Sequence, residues 1–188
     1  MRARGLTGVR LCISDAHQGL KQAIAKVLGC SWQRCTVHFL RDMLGHVAKA
    51  QQPMIAAAIR GIFQATSLAE ARERLVEVAD KLQTVAPKVA RLLEAAEAEL
   101  LAFYQLPAEH WPKLRSTNPL ERVNREIGRR TDVVGIFPND PALLRLAGML
   151  LIEQNDEWLV TRRYLSQESL ALVLEDKPTQ EVAQLTPA

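Results

Sequence analysis

Acidic residues are missing from the front of this 188-residue sequence: no aspartate or glutamate precedes Asp15. Any chemistry there that needs a carboxylate must begin with Asp15. Cysteine is sparse. Cys12, Cys30 and Cys35 make an odd count with no signal peptide, from which a reducing, cytoplasmic compartment is expected. No apolar run approaches the roughly 18 residues that span a bilayer, so no membrane partner is expected. Pro141 to Ile152 is apolar but short and runs into Glu153, Gln154, Asn155 and Asp156. Aromatics are only 5% of the chain, and Trp32, Trp111 and Trp158 suit core or junction positions better than base-stacking platforms.

Apolar residues make up 48%, enough for a sizeable core. The net charge of +3 and pI near 8.9 are weakly basic and do not by themselves identify a nucleic-acid binder. The distribution is more telling. Arg115, Arg122, Arg125, Arg129 and Arg130 crowd into sixteen positions against Glu121 and Glu126.

Periodicity predicts a front with strands and a long helical remainder. Val9 to Ile13 reads as a buried strand, apolar on both faces except at Arg10. A helix follows over Ala16 to Leu28, stopped by Gly29. Gln33 to His38 reads as a second strand. Helices are then expected over Phe39 to Ala50, Pro53 to Ala65, a Ser67-capped segment with Glu70 completing a capping box, and Val85 to Tyr104. Leu106 to Leu114, with two prolines, reads as a linker. Thr117 or Asn118 caps the next helix, with Pro119 at its first position. Val133 to Phe137 is expected to be extended, Ala142 to Val160 helical, and the last twenty or so residues frayed. Two short strands make a poor sheet alone, so the front reads as part of a larger one. The fold class is α+β, mostly α.

Two acids stand out. Asp15 ends the first strand, where open α/β sheets place functional side chains. It could equally cap the helix that follows. Glu121 lies in the first turn of its helix, either as a functional carboxylate or as the capping-box partner of Asn118. Asn124 shares the face of Glu121, and Arg122, Arg125, Arg129 and Arg130 are spaced to meet phosphates. Cys35 and His38 have C-x2-H spacing. A structural zinc site needs four ligands, and Cys30 with His17 or His46 would complete one only at unrecognised spacing. A packed cysteine with a hydrogen-bonded histidine, or a Cys-His nucleophile, are the other readings.

In combination these segments resemble a known family. They are Ile13-Ser14-Asp15-Ala16-His17-Gln18-Gly19-Leu20, Trp32 through Phe39, Thr117 through Ile127, Arg129-Arg130-Thr131, and Val133 through Asn139. In order and content they look like the Mutator-like transposases of bacterial insertion sequences, over roughly Val9 to Trp158. The resemblance implies an RNase H-like catalytic core with a DDE triad, interrupted by an all-helical insertion between the second Asp and the Glu. It implies that Asp15 is the second aspartate and Glu121 the glutamate, both ligands of Mg2+ or Mn2+. Cys35 and His38 would be the family's C-x2-H motif, near the active site and not a zinc site, with Asn124 also supporting. Arg122, Arg125, Arg129 and Arg130 would contact DNA, and a homo-oligomer is allowed.

On that basis residues 1–38 are a partial catalytic core, 39–105 the insertion, 106–165 the rest of the core with the Glu-bearing helix, and 166–188 a polar tail. The departure is the first aspartate, which in the family precedes the second. The expectation is a C-terminal transposase fragment, DNA-binding but inactive alone. The alternative is a non-enzymatic helical module that binds DNA or a transposase.

Overall fold

The computed structural model describes residues 1–160 and 165–175, and they divide into two compact units, residues 1–116 and residues 117–175. The first unit opens with a parallel strand pair. Strand β1 (Leu11–Ser14) lies beside β2 (Ser31–Arg34), in register from Leu11 opposite Ser31 to Ser14 opposite Arg34. Among the described residues these two strands pair only with each other. A parallel pair needs a crossover. Here it is helix α1 (Gln18–Ala23) continuing into one wide π turn over Ile24–Leu28. Gly29 ends it at φ 61°, a left-handed conformation that glycine adopts without a Cβ clash.

Both strands start and stop differently from the expectation. β2 ends at Arg34, four residues before His38, because the ladder runs out at Ser14. The Cys35 N–H makes a last 2.9 Å bond to the Ser14 carbonyl, and the chain turns at once into α2 (Thr36–Leu44). His38 therefore lies on a helix, not on a strand. The helix after Asp15 begins late, at Gln18, and is capped by His17, whose Nδ1 accepts the Leu20 N–H at 3.3 Å. Asp15 is not the cap.

The helical body comprises α3 (Gln52–Ile62), α4 (Leu68–Val85), α5 (Pro87–Ala95) and α6 (Glu97–Leu100). Ser67 caps α4 as expected, accepting the Glu70 N–H at 3.1 Å. The Glu70 carboxylate reaches back to the N–H of Thr66 rather than that of Ser67. The single helix expected over Val85 to Tyr104 is instead α5, α6 and a 3-10 turn, Ala102–Gln105. Pro87 cannot continue the preceding helix and starts its own.

Burial explains the sum. Phe39, Ile55, Ile59, Ile62, Leu75, Leu93, Leu100 and Phe103 are fully enclosed in one apolar cluster. The segment expected to be a linker joins it. Ala108–His110 is a 3-10 turn, and α7 (Trp111–Leu114) follows. Trp111 stands edge-on to Tyr104 at 4.5 Å and donates to the Leu106 carbonyl at 2.6 Å.

Gln33, fully buried, ties the sheet to this body. Its side-chain amide donates to the Leu100 carbonyl at 2.9 Å, and its oxygen accepts the Phe103 N–H at 2.9 Å. Where the helical block returns, the Arg115 carbonyl accepts both the N–H and the hydroxyl of Thr36, each at 2.9 Å.

The second unit is helical. α8 spans Asn118–Val134, α9 spans Asp140–Val160 and α10 spans Gln167–Glu175. α8 runs through Val133 and Val134, which were expected to be extended, and Gly135 closes it at φ 72°. α10 falls where a polar tail was expected. Ser166 precedes it and its Oγ accepts the Ser169 N–H at 3.1 Å, a cap that starts a helix in polar sequence. The frayed end expected beyond Glu175 lies outside the described residues.

Candidate functional site

The first unit brings together three side chains of unlike chemistry. Asp15 follows the last residue of β1, and Cys35 and His38 flank the first turn of α2. Because β1 and β2 are parallel and in register, both deliver the chain to the same end of the sheet. The Asp15 carboxylate contacts the His38 Nδ1 directly. One ligand atom from each of Asp15, Cys35 and His38 lies within 4.8 Å of the other two. The site is graded in exposure: Cys35 is fully buried, His38 is 21% exposed and Asp15 is 56% exposed. The carboxylate also sits beside the N-terminal turn of α2, whose dipole favours negative charge.

The backbone around Asp15 is fixed from several sides. The Ser14 hydroxyl donates to the Asp15 carbonyl at 3.0 Å and accepts the Trp32 indole N–H at 2.8 Å. The His17 N–H bonds the same Asp15 carbonyl at 2.8 Å. Trp32 is buried, so the junction reading of this tryptophan holds. Lys21 lies over its ring at 4.5 Å and pairs with Glu99 of the helical body.

Cys30, His17 and His46 do not join the cluster; the third potential ligand is Asp15. Asp15 is twenty residues from Cys35, too far for ligand spacing along the chain to link them. The signal was available in principle: an Asp ending one strand of a parallel pair and a C-x2-H beginning the helix after the other. A thiol nucleophile at Cys35 is disfavoured by its complete burial. Burial pushes the Cys12 and Cys30 thiols up, which makes them poor nucleophiles as well.

Glu121 lies in the second unit and is half-buried. The cap residue of α8 is Thr117, and the Glu121 carboxylate accepts the Thr117 hydroxyl at 2.9 Å, so the capping box with Asn118 does not form. Asn124 is exposed on the same helix. Arg122, Arg125, Arg129 and Arg130 line one groove of about 320 Å³ between α8 and α9, opposite Glu153 and Glu157. These facing acids on α9 were not anticipated from sequence.

Glu126 organises the end of this groove. Its carboxylate accepts two bonds from Arg129, at 2.7 and 3.1 Å, and one from Arg130 at 3.0 Å. Arg129 foremost, then Arg130, holds the Glu126 carboxyl down at about 2. The stabilisation it gives is present above the ordinary carboxylate range and is lost as pH falls from that range through about 2. Carbon-13 NMR of the Glu126 carboxyl should show that low midpoint, and Arg129→Ala should return it toward the ordinary range.

Comparison with known proteins identifies relatives along most of the chain. The family model described as "Transposase, Mutator family" matches residues 1–161. The chain is 40% identical to the transposase for insertion sequence element IS1081 of Mycobacterium tuberculosis, over 99% of this chain and 46% of that protein. It is 45% identical to the transposase for IS406 of Burkholderia multivorans, over 87% of this chain and 43% of that protein. With the transposase for IS256 in transposon Tn4001 of Staphylococcus aureus the identity is 36%, over 88% and 43% of the two chains. The chain thus spans just under half the length of these curated relatives. On the match across residues 1–161 and these identities, this chain belongs to the Mutator family of transposases.

Proposed function

We propose that this chain is part of an insertion-sequence transposase that holds DNA for metal-dependent strand cleavage and transfer, with Asp15 and Glu121 as two of three metal-binding carboxylates. The observation that carries it is Asp15, held at the end of a parallel strand with its carboxylate half-exposed. That is a hard oxygen donor fit for Mg2+ or Mn2+. Bound there, such ions would supply activation of an attacking oxygen and stabilisation of a leaving one. Asp15 and Glu121 would hold the ions, His38 would fix the Asp15 carboxylate, and Thr117 would orient Glu121. Arg122, Arg125, Arg129 and Arg130 would neutralise backbone phosphates without reading sequence.

Of the three carboxylates of this proposal, these 188 residues include Asp15 and Glu121. The chain is expected to bind duplex DNA carrying insertion-sequence ends and to cut neither strand in Mg2+ or Mn2+. Fluorescence anisotropy and a plasmid-nicking assay check the two halves. Failure to bind DNA would sink the proposal. Nicking that disappears in Asp15→Ala would show that two carboxylates suffice.

One observation favours the binding-module alternative. Leu144, Met149, Ile152 and Leu159 of α9 are exposed, as on a helix that docks a partner. Under that reading the chain contributes to the function of a longer transposase without Glu121. Glu121→Gln would then leave that function unchanged.

A further inference from the structure

We infer that Arg2, Arg4, Arg10 and Lys26 form a second surface for the DNA backbone, on the strand-bearing front of the first unit, that meets phosphates without reading sequence. This surface presupposes that the chain holds DNA, as proposed above.

Charge is segregated along the chain. Residues 1–34 carry six lysines and arginines against one acid, Asp15, whereas the remainder carries eighteen against twenty acids. The weak overall charge of +3 therefore hides a basic front and a slightly acidic remainder. Asymmetry of that kind is the footprint of a polyanionic partner.

Pairing sharpens the contrast. In the helical body Arg72 pairs with Glu97, Arg74 with Glu70 and Lys81 with Glu77. In the front, Glu99 of α6 takes Lys21 and Arg34. Arg2, Arg4, Arg10 and Lys26 remain. All four are exposed, and none makes an ion pair or side-chain hydrogen bond among the described residues. Meeting a phosphate there breaks no existing ion pair. Arg129 and Arg130, by contrast, must first leave Glu126.

The strands fix where these cations stand. Arg2–Arg4 is a short 3-10 turn leading into β1, Arg10 directly precedes β1, and Lys26 lies in the π turn that leads into β2. Because β1 and β2 are parallel, both begin at one end of the sheet, and Asp15 stands at the other. The strand rises about 3.3 Å per residue, which puts Arg10 roughly 16 Å from Asp15. DNA that runs along β1 from Asp15, at about 3.4 Å per step, meets Arg10 about five base pairs away.

The chemistry selects the backbone. Residues 1–10 contain no aromatic side chain on which a base could stack, so these contacts position DNA and carry no sequence information. Their helical part is only three residues long, too short to lie as an amphipathic helix on a lipid surface.

Anisotropy of a labelled duplex of arbitrary sequence, titrated with the whole chain at several salt concentrations, tests the surface. Arg4→Gln with Arg10→Gln should lower the slope of log K against log salt by about 1.8, close to a hundredfold loss of affinity at about 0.1 M salt. Arg2→Gln with Lys26→Gln should give a fall of the same kind. Arg72→Gln with Lys81→Gln removes the same charge from cations already paired, and should leave the slope unchanged. Circular dichroism checks that each variant is folded.

Equal falls in the front and control variants would reveal an effect of net charge alone and overturn the surface. An unchanged slope in the front variants, with Arg122→Gln and Arg125→Gln still lowering it, would overturn the surface and leave the transposase reading in place. An unaltered chain that binds no DNA sinks that reading itself. Phosphatidylglycerol vesicles check the class of partner. The chain should not sediment with them at the salt where it binds DNA. Sedimentation that is lost with Arg4 and Arg10 would make lipid the partner and overturn the assignment to DNA.

Discussion

Replacing Gln33 with leucine should destabilise the first unit by about 2–6 kcal/mol, although the two side chains are similar in size and the site is fully buried. The amide of Gln33 satisfies the Leu100 carbonyl at the end of α6 and the Phe103 N–H at the next turn. Leucine would leave both buried and unpaired, at about 1–3 kcal/mol each. Removing both halves of a polar contact can be neutral, but here the backbone halves cannot be removed. Urea denaturation followed by circular dichroism measures the loss. A change under about 1 kcal/mol would mean that water reaches these groups and that Gln33 is not the tie. The consequence extends to the site, because Gln33 is two residues from Cys35 on the same stretch of chain.

The second large effect concerns DNA affinity. Each phosphate neutralised by an arginine contributes about 0.9 to the slope of log K against log salt. Substituting Arg122 and Arg125 together with glutamine should lower that slope by about 1.8, close to a hundredfold loss of affinity at about 0.1 M salt. Arg129 and Arg130 should contribute less, because Glu126 already accepts three hydrogen bonds from them. Their substitution is expected to flatten the slope by well under the full amount. Anisotropy titrations at several salt concentrations read both numbers. Equal losses from the two pairs would show that DNA displaces Glu126 at no cost.

How far the sequence revealed this molecule depended on whether the signal was local. Ser67 and Glu70 announced the start of α4, and Pro119 the start of α8, because caps act within one turn. The end of β2 was misplaced because it is set by where β1 stops, twenty residues earlier. His38 consequently moved from strand to helix. The contact between Asp15 and His38 was invisible to spacing for the same reason, and only the family resemblance placed them near one another. Gln33 was expected only as the start of the second strand; its worth depends on Leu100 and Phe103, some seventy positions away. The acids of α9 that face the arginines of α8 were likewise beyond any short-range pattern. The roles of Asp15 and Glu121 came from resemblance and remain proposals, whereas the family itself follows from the comparisons.

The double hydrogen bond from Thr36 to the Arg115 carbonyl has a topological consequence. It brings the points where the chain enters and leaves the helical block together, so the two ends of the block meet at one gate. Changes in the length of the block are expected to be tolerated where they spare Leu100 and Phe103, which Gln33 ties to the strands. The same gate makes its stem a natural place to open the chain, since new termini inside the block would leave Asp15, Cys35 and His38 on an uncut frame.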